Sequence, residues 1–144
     1  MKTNLKRVFT VILLGVVLMA NGLTAQTAQA RVCVAGSSAS CPIRISLLRG
    51  TYGTTVHGRL TAAPQQKYYA LRARAGQRLT ITFAGFGVMR GGINFPGGGG
   101  DGPFDGDGNT IDLPTTGDYI LYLGQNTMAG EPWTGNYSLG VMIR

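Results

Sequence analysis

The chain has 144 residues, among them 13 Lys and Arg against 6 Asp and Glu, for a formal charge of +7, and 23 glycines. That length supports one hydrophobic core and excludes a pair of ordinary domains. The basic excess favours anionic partners, and nucleic acid is excluded among them because the N-terminus reads as an export signal.

Lys2, Lys6 and Arg7 form a basic start, Val8 to Ala20 an apolar stretch and Ala28-Gln29-Ala30 a small-x-small cleavage site. This is the pattern of a secretory signal peptide. The apolar run is shorter than the ~20 residues that a bilayer-spanning helix needs. Residues 1–30 are therefore expected to be removed, leaving 31–144 as a single periplasmic or secreted domain without stable membrane insertion. Ten basic residues then face six acidic ones, a formal +4. Nine of the ten precede residue 91, and all six acids follow residue 100. Cys33 and Cys41 enclose a short polar segment, and an even count in an exported chain favours a disulfide. Metal ligation and a reactive thiol are the alternatives, and neither has a second ligand cluster beside it.

The mature chain then reads as short strands with period-2 alternation. Ile43, Ile45 and Leu47 alternate with Arg44, Ser46 and Leu48, before the turn at Arg49-Gly50-Thr51-Tyr52-Gly53. Thr54 to Thr61 follows, with Val56, Gly58 and Leu60 on one face and His57, Arg59 and Thr61 on the other. Lys67 to Ala75 places Tyr69, Leu71, Ala73 and Ala75 inward and Tyr68, Ala70, Arg72 and Arg74 outward. After Gly76-Gln77, Arg78 to Phe83 points Leu79, Ile81 and Phe83 inward. Successive strands are expected to form hairpins. Gly85 to Gly108 is expected to be a mobile loop around a short Gly92 to Phe95 strand, because the run Gly97 to Gly100 weakens a sheet. Thr110 to Leu113, Tyr119 to Leu123 and Tyr137 to Ile143 complete about eight strands, the pattern of a β-sandwich or barrel.

Several residues are candidates for function. If their three strands adjoin, Arg59, Arg72, Arg74 and Arg78 form one guanidinium-rich face suited to carboxylate or sulfate, such as an acidic envelope glycan or an acidic protein surface. Trp133 lies in a Pro-Trp-Thr-Gly loop and is a candidate ligand anchor, or else a cap on the core. No cofactor is expected. The one conditional exception is Ca²⁺: Asp105, Asp107 and Asn109 carry oxygens at every second position, although the Gly and Glu of an EF-hand loop are replaced by Thr110 and Thr116. His57 is the only histidine and has no nucleophile motif beside it, so no catalytic residue is expected.

Tyr69-x-Leu71-x-Ala73-x-Ala75-Gly76-Gln77-x-Leu79-x-Ile81, Leu113-Pro114-x-x-Gly117-Asp118-Tyr119 and Gly135-x-Tyr137-x-Leu139-x-Val141 resemble the bacterial pre-peptidase C-terminal domain family. The resemblance spans most of 43–143 and implies a jelly-roll-like antiparallel β-sandwich acting as a non-catalytic accessory that binds a protein or an envelope polymer. The Ala-x-Ala-Gly-Gln and Gly-Asp-Tyr frame and Ile93-Asn94-Phe95-Pro96 also resemble periplasmic inhibitors of g-type lysozyme. That second resemblance implies partner loops at Asn94 and Phe95 and at Gln125, Asn126 and Met128. Such inhibitors tend to carry arginines in the latter loop, where this chain has none. A calcium-dependent carbohydrate-binding module is a further alternative.

Overall fold

The computed structural model describes residues 32–61, 65–85, 89–105, 108–126, 128 and 134–144, which lie in one compact unit. The expected leader and its cleavage site lie outside the described residues. The chain forms β1 (Ile43–Ile45), β2 (Gly53–Leu60), β3 (Gln66–Ala73), β4 (Arg78–Gly85), β5 (Met89–Asn94), β6 (Gly100–Asp105), β7 (Asn109–Asp112), β8 (Gly117–Gln125) and β9 (Gly135–Ile143).

These strands make a five-stranded sheet, ordered β1-β3-β8-β5-β6, and a four-stranded sheet, ordered β2-β9-β4-β7. Every pairing is antiparallel except β1 with β3. The hairpin expectation fails for the first four strands. β2 pairs with β9, β3 with β8 and β4 with β9 and β7, so successive strands cross from one sheet to the other. Only β5 and β6 pair as sequence neighbours.

Alternation places the core between the sheets. Tyr69, Leu71 and Ala73 of β3 are buried, as are Leu79, Ile81 and Phe83 of β4 and Tyr119, Leu121 and Leu123 of β8. Tyr137, Leu139, Val141 and Ile143 of β9 join those of β4 on the four-stranded side and meet those of β3 and β8 from the five-stranded side. Ala75 is exposed, because β3 ends at Ala73. Two tyrosines bridge the layers: the Tyr69 and Tyr137 hydroxyls are 2.6 Å apart and buried. Burial raises both phenols above their ordinary pKa, and for Tyr137 the bond to Tyr69 adds to the shift. Each hydroxyl therefore supplies the other's partner, which a buried polar group requires. The Tyr137 ring lies over Gly58 on β2, where a Cβ would meet the phenol.

The glycine-rich stretch differs from the expected mobile loop. β5 starts at Met89, and Gly100 opens a further strand, β6, at the edge of its sheet. β6 contains Pro103, which lacks a ladder donor and is tolerated at an edge. Phe104 still turns into the core opposite Gly91. Between the two strands the chain closes a turn, with Phe95 N–H donating to Gly99 O (3.0 Å) and Gly98 N–H to Phe95 O (3.2 Å). Gly97, Gly98 and Gly99 have φ of +84°, +111° and +79°, values that glycine adopts without the cost of a Cβ clash.

Cys33 and Cys41 form the expected disulfide. Gly36, inside the loop it closes, accepts from Tyr68 N–H at 3.1 Å. The loop thereby continues the ladder that β1 makes with β3 only from Tyr69 onward. A row of open backbone groups at this edge would invite another chain. Gly36 has φ +79°, and a Cβ there would lie 2.8 Å from Ile43 Cδ1.

Candidate functional site

The two ends of the sandwich carry different loops. One end bears Leu47 to Tyr52, Arg74 to Gln77, Phe95 to Gly99 and Leu113 to Thr116 (the Gln77 end). The other receives the connections β2–β3, β4–β5, β6–β7 and β8–β9 (the Gln125 end). Most residues of the last three connections lie outside the described set, Trp133 and Asp107 among them.

The Gln77 end is built from the backbone outward. Gly76, at φ +82°, makes the β3–β4 turn possible, and Arg74 N–H donates to Gln77 Oε1 at 2.7 Å. The turn is then tied to the β7–β8 connection by three bonds: Gly76 N–H to Leu113 O (2.8 Å), Leu113 N–H to Gln77 O (2.8 Å) and Ala75 N–H to Thr116 Oγ1 (2.9 Å). The Leu-Pro-x-x-Gly-Asp-Tyr segment closes on itself, because the Tyr119 hydroxyl donates to Thr115 O at 2.5 Å and accepts from Thr115 N–H at 3.1 Å. Phe95 packs edge-on against the buried Tyr119 ring, centroids 5.8 Å apart. A Cβ on Gly117 would lie 2.7 Å from Pro96, so the β5–β6 turn docks on the same corner. Two loops and a turn are thus held in one arrangement before any partner arrives, which lowers the ordering cost of binding.

Arginines crowd this end. Arg44, Arg49, Arg72, Arg74, Arg78 and Arg144 stand at or beside it, against Asp101, Asp112 and Asp118 among the described residues. Arg44 reaches across β3 to Asp118 in a two-pronged contact, Nη1 to Oδ1 at 2.7 Å and Nη2 to Oδ2 at 3.0 Å. Ala70 lies between the partners' strands and presents no long side chain to obstruct that reach. Arg72 approaches the same carboxylate at 3.6 Å. The Arg44 hydrogen bond, with coulombic help from both arginines, holds the Asp118 carboxyl below its ordinary pKa and pushes the Arg44 guanidinium up. Arg78 Nε donates to Asp112 Oδ1 at 2.8 Å, raising its own pKa. Arg74 is exposed and has no ion-pair partner among the described residues. Arg72, Arg74, Gln77 and Thr116 line a depression of about 490 Å³.

This arrangement corrects the single arginine face. β3 lies in one sheet and β2 and β4 in the other, so Arg72 faces away from Arg59 and Arg78. Arg72 and Arg74 come together at the Gln77 end, whereas Arg59 sits near the opposite end of β2, across from Asn136. The partner loops divide in the same way. Asn94 is level with Ile120 and the Gln77 end, while Gln125 is level with Met89, five residues further along β5. At about 3.4 Å per residue that separation is roughly 17 Å. Phe95 is partly buried against the core, whereas Met128 is exposed and its N–H donates to Asn126 Oδ1 at 3.2 Å. Of the proposed calcium ligands, Asn109 begins β7; the Asp105 side chain and all of Asp107 lie outside the described residues. Arg44, Gln77, Thr116 and Asp118 were missed by sequence reading. Asp118 sits inside a Gly-Asp-Tyr turn signal, and nothing local announces its partner 74 positions away.

A second depression, of about 470 Å³, lies on the outer face of the four-stranded sheet, over Gly140 and between Thr55, Thr82, Tyr52 and Met142. No charged side chain lines it.

Fold and site together define a two-sheet β-sandwich with a pre-ordered, arginine-bearing loop end. Structural comparison matches this chain to a periplasmic inhibitor of g-type lysozyme, PliG, from Aeromonas hydrophila, with 26% identity over 71% of this chain and 95% of that one and a TM-score of 0.61. The Salmonella Typhimurium inhibitor matches at 19% identity over 71% and 96%, with a TM-score of 0.54. A pre-peptidase C-terminal domain of a Bacillus anthracis collagenase matches at 16% over 69% and 92%, with a TM-score of 0.45. No protein-family model matches the chain, and no curated protein does.

Proposed function

We propose that the chain is an exported, non-catalytic binding module whose partner is a protein, and that this protein is a g-type lysozyme which it inhibits by docking through the Gln77 end. The observation that carries this reading is the likeness to the Aeromonas inhibitor, which extends over 95% of that protein. The chemistry of the end supports it. Lysozymes cleave glycans with carboxyl groups in an open cleft, and a surface offering Arg74 from a bonded turn, with the exposed Arg72 beside it on β3, is complementary to such a cleft. Asn94 and Phe95 stand at the same end; Gln125, Asn126 and Met128 stand at the other. The formed disulfide is in keeping with an oxidising compartment.

Lysozyme activity titrated with the purified protein tests both parts. Stoichiometric loss of g-type activity is expected, weakened by salt and by Arg72→Ser with Arg74→Ser. Unchanged activity at excess protein sinks the reading. Loss of inhibition on exchanging Gln125, Asn126 and Met128, with the arginine variant unaffected, would move the docking surface to the other end.

A further inference from the structure

The outer face of the five-stranded sheet carries a row that the Gln77 end does not use. Across β3, β8 and β5 it reads Tyr68, Tyr122, Gly92. A Cβ at Gly92 would lie 2.5 Å from Tyr122 Cζ and 2.9 Å from Cε1, so the ring lies down along the next strand instead of standing out from its own. Glycine in mid-strand forfeits packing and often marks a close approach; here the approaching group is an aromatic face. The Tyr68 ring stands beside it, centroids 6.4 Å apart and planes tilted by 42°. Both tyrosines are only partly buried. Amide side chains occur on each flank: Gln66 on one, accepting from the Tyr68 hydroxyl at 2.6 Å, and the exposed Asn94 on the other.

We propose that this row is a glycan-binding strip that stacks the pyranose rings of an uncharged polysaccharide on Tyr122 and Tyr68. Three features select that ligand. A pyranose offers a flat C–H face with hydroxyls around its edge, and the strip offers flat rings with amides along its edges. Two partly exposed rings present far less than the ~800 Å² per partner of a standard protein interface, but enough for a narrow polymer. Arg90 stands on the same face one row from the strip, level with Gly124 and Gln66, and is itself engaged; Arg44, Arg72 and Asp118, further off, are joined to one another, so the strip does not call for a charged ligand. The proposal is independent of the lysozyme reading, since the strip lies on a sheet face and the docking end on loops.

The test is a titration of the purified protein with chitohexaose and with cellohexaose, followed by amide chemical shifts, alongside retention on the insoluble polymers. Millimolar or tighter binding is expected for at least one, with shifts centred on Tyr68, Gly92 and Tyr122. Tyr122→Ala is expected to weaken it about tenfold or more, and Tyr122→Phe to preserve it. Tyr68→Ala, whose ring covers no glycine, gives the same answer if the first variant folds poorly. Lysozyme inhibition by Tyr122→Ala is expected to be unchanged, which separates failure here from failure there. Absence of binding to both oligosaccharides, shifts confined to another face, or equal binding by both alanine variants would overturn the proposal.

Discussion

Tyr137 over Gly58 and Tyr122 over Gly92 are the same construction, the first on the inner face of the four-stranded sheet and the second on the outer face of the five-stranded one. In each, an antiparallel neighbour places a tyrosine directly across from a glycine, and the ring settles where a side chain would have been. Inside the sandwich the second sheet then closes over the ring and hands its hydroxyl a partner, Tyr69. Outside, nothing in the described chain closes over it. An identical local pairing therefore yields a core element in one place and an open platform in the other. What differs is the layer above, which local sequence does not specify.

Four experiments break or sharpen this comparison. The largest effect is expected from Gly58→Ala, where the new methyl meets a ring trapped between two sheets; overpacking of this kind costs up to about 3 kcal/mol. Gly92→Ala is the matched control, expected to cost about 1 kcal/mol or less, because the Tyr122 ring has solvent to move into. Urea unfolding of the two variants measures the difference, and equal costs would erase the distinction between the faces. Next is Tyr137→Phe, which leaves the Tyr69 hydroxyl buried without a partner, at about 1–3 kcal/mol. Adding Tyr69→Phe is expected to recover part of that loss, since removing both hydroxyls leaves no orphan.

The third experiment is alkaline unfolding. Both buried phenols are raised above the ordinary tyrosine value of about 10. Their contribution is thus fully present below that pH, and is lost as the pH climbs through the raised folded values, because the unfolded chain ionises first. The Tyr69→Phe, Tyr137→Phe double variant is expected to flatten this limb. The smallest effect is expected at the surface. Asp118 is lowered by Arg44, so its contribution is present above the ordinary carboxylate range and lost as the pH falls towards the folded value. Asp118→Asn is expected to make the acid limb slightly shallower, and salt to diminish the difference. A large change there would mean that the exposed ion pair carries more than its geometry indicates.

Strand existence was legible wherever apolar residues alternate, as in Arg78 to Phe83 and Tyr137 to Ile143. β6 was not, because Gly100, Gly102 and Pro103 mimic a loop and only Phe104 betrays an inward face. Pairing was less legible still. Short turns after β2 and β3 look like hairpin turns, yet they carry the chain between sheets. That misreading had two consequences for the site. It let Arg59, Arg72, Arg74 and Arg78 count as one face, and it gave no sign that the loops of Asn94 and of Gln125 fall at opposite ends of the antiparallel pair β5 and β8. The charge pattern misleads similarly. Bases precede acids along the chain, but β3 lies against β8 and β4 against β7, so Arg72 meets Asp118 and Arg78 meets Asp112. Segregation in sequence becomes neutralisation in space.

The position of β9 bears on how the domain comes into being. It is an interior strand of its sheet, with β2 on one side and β4 on the other, so until β9 has left the ribosome β2 has no native neighbour and β4 has only β7. Folding that depends on such distant pairings is slow. The export proposed above would draw on that delay, since a polypeptide still short of a central strand is one that a translocation channel can thread.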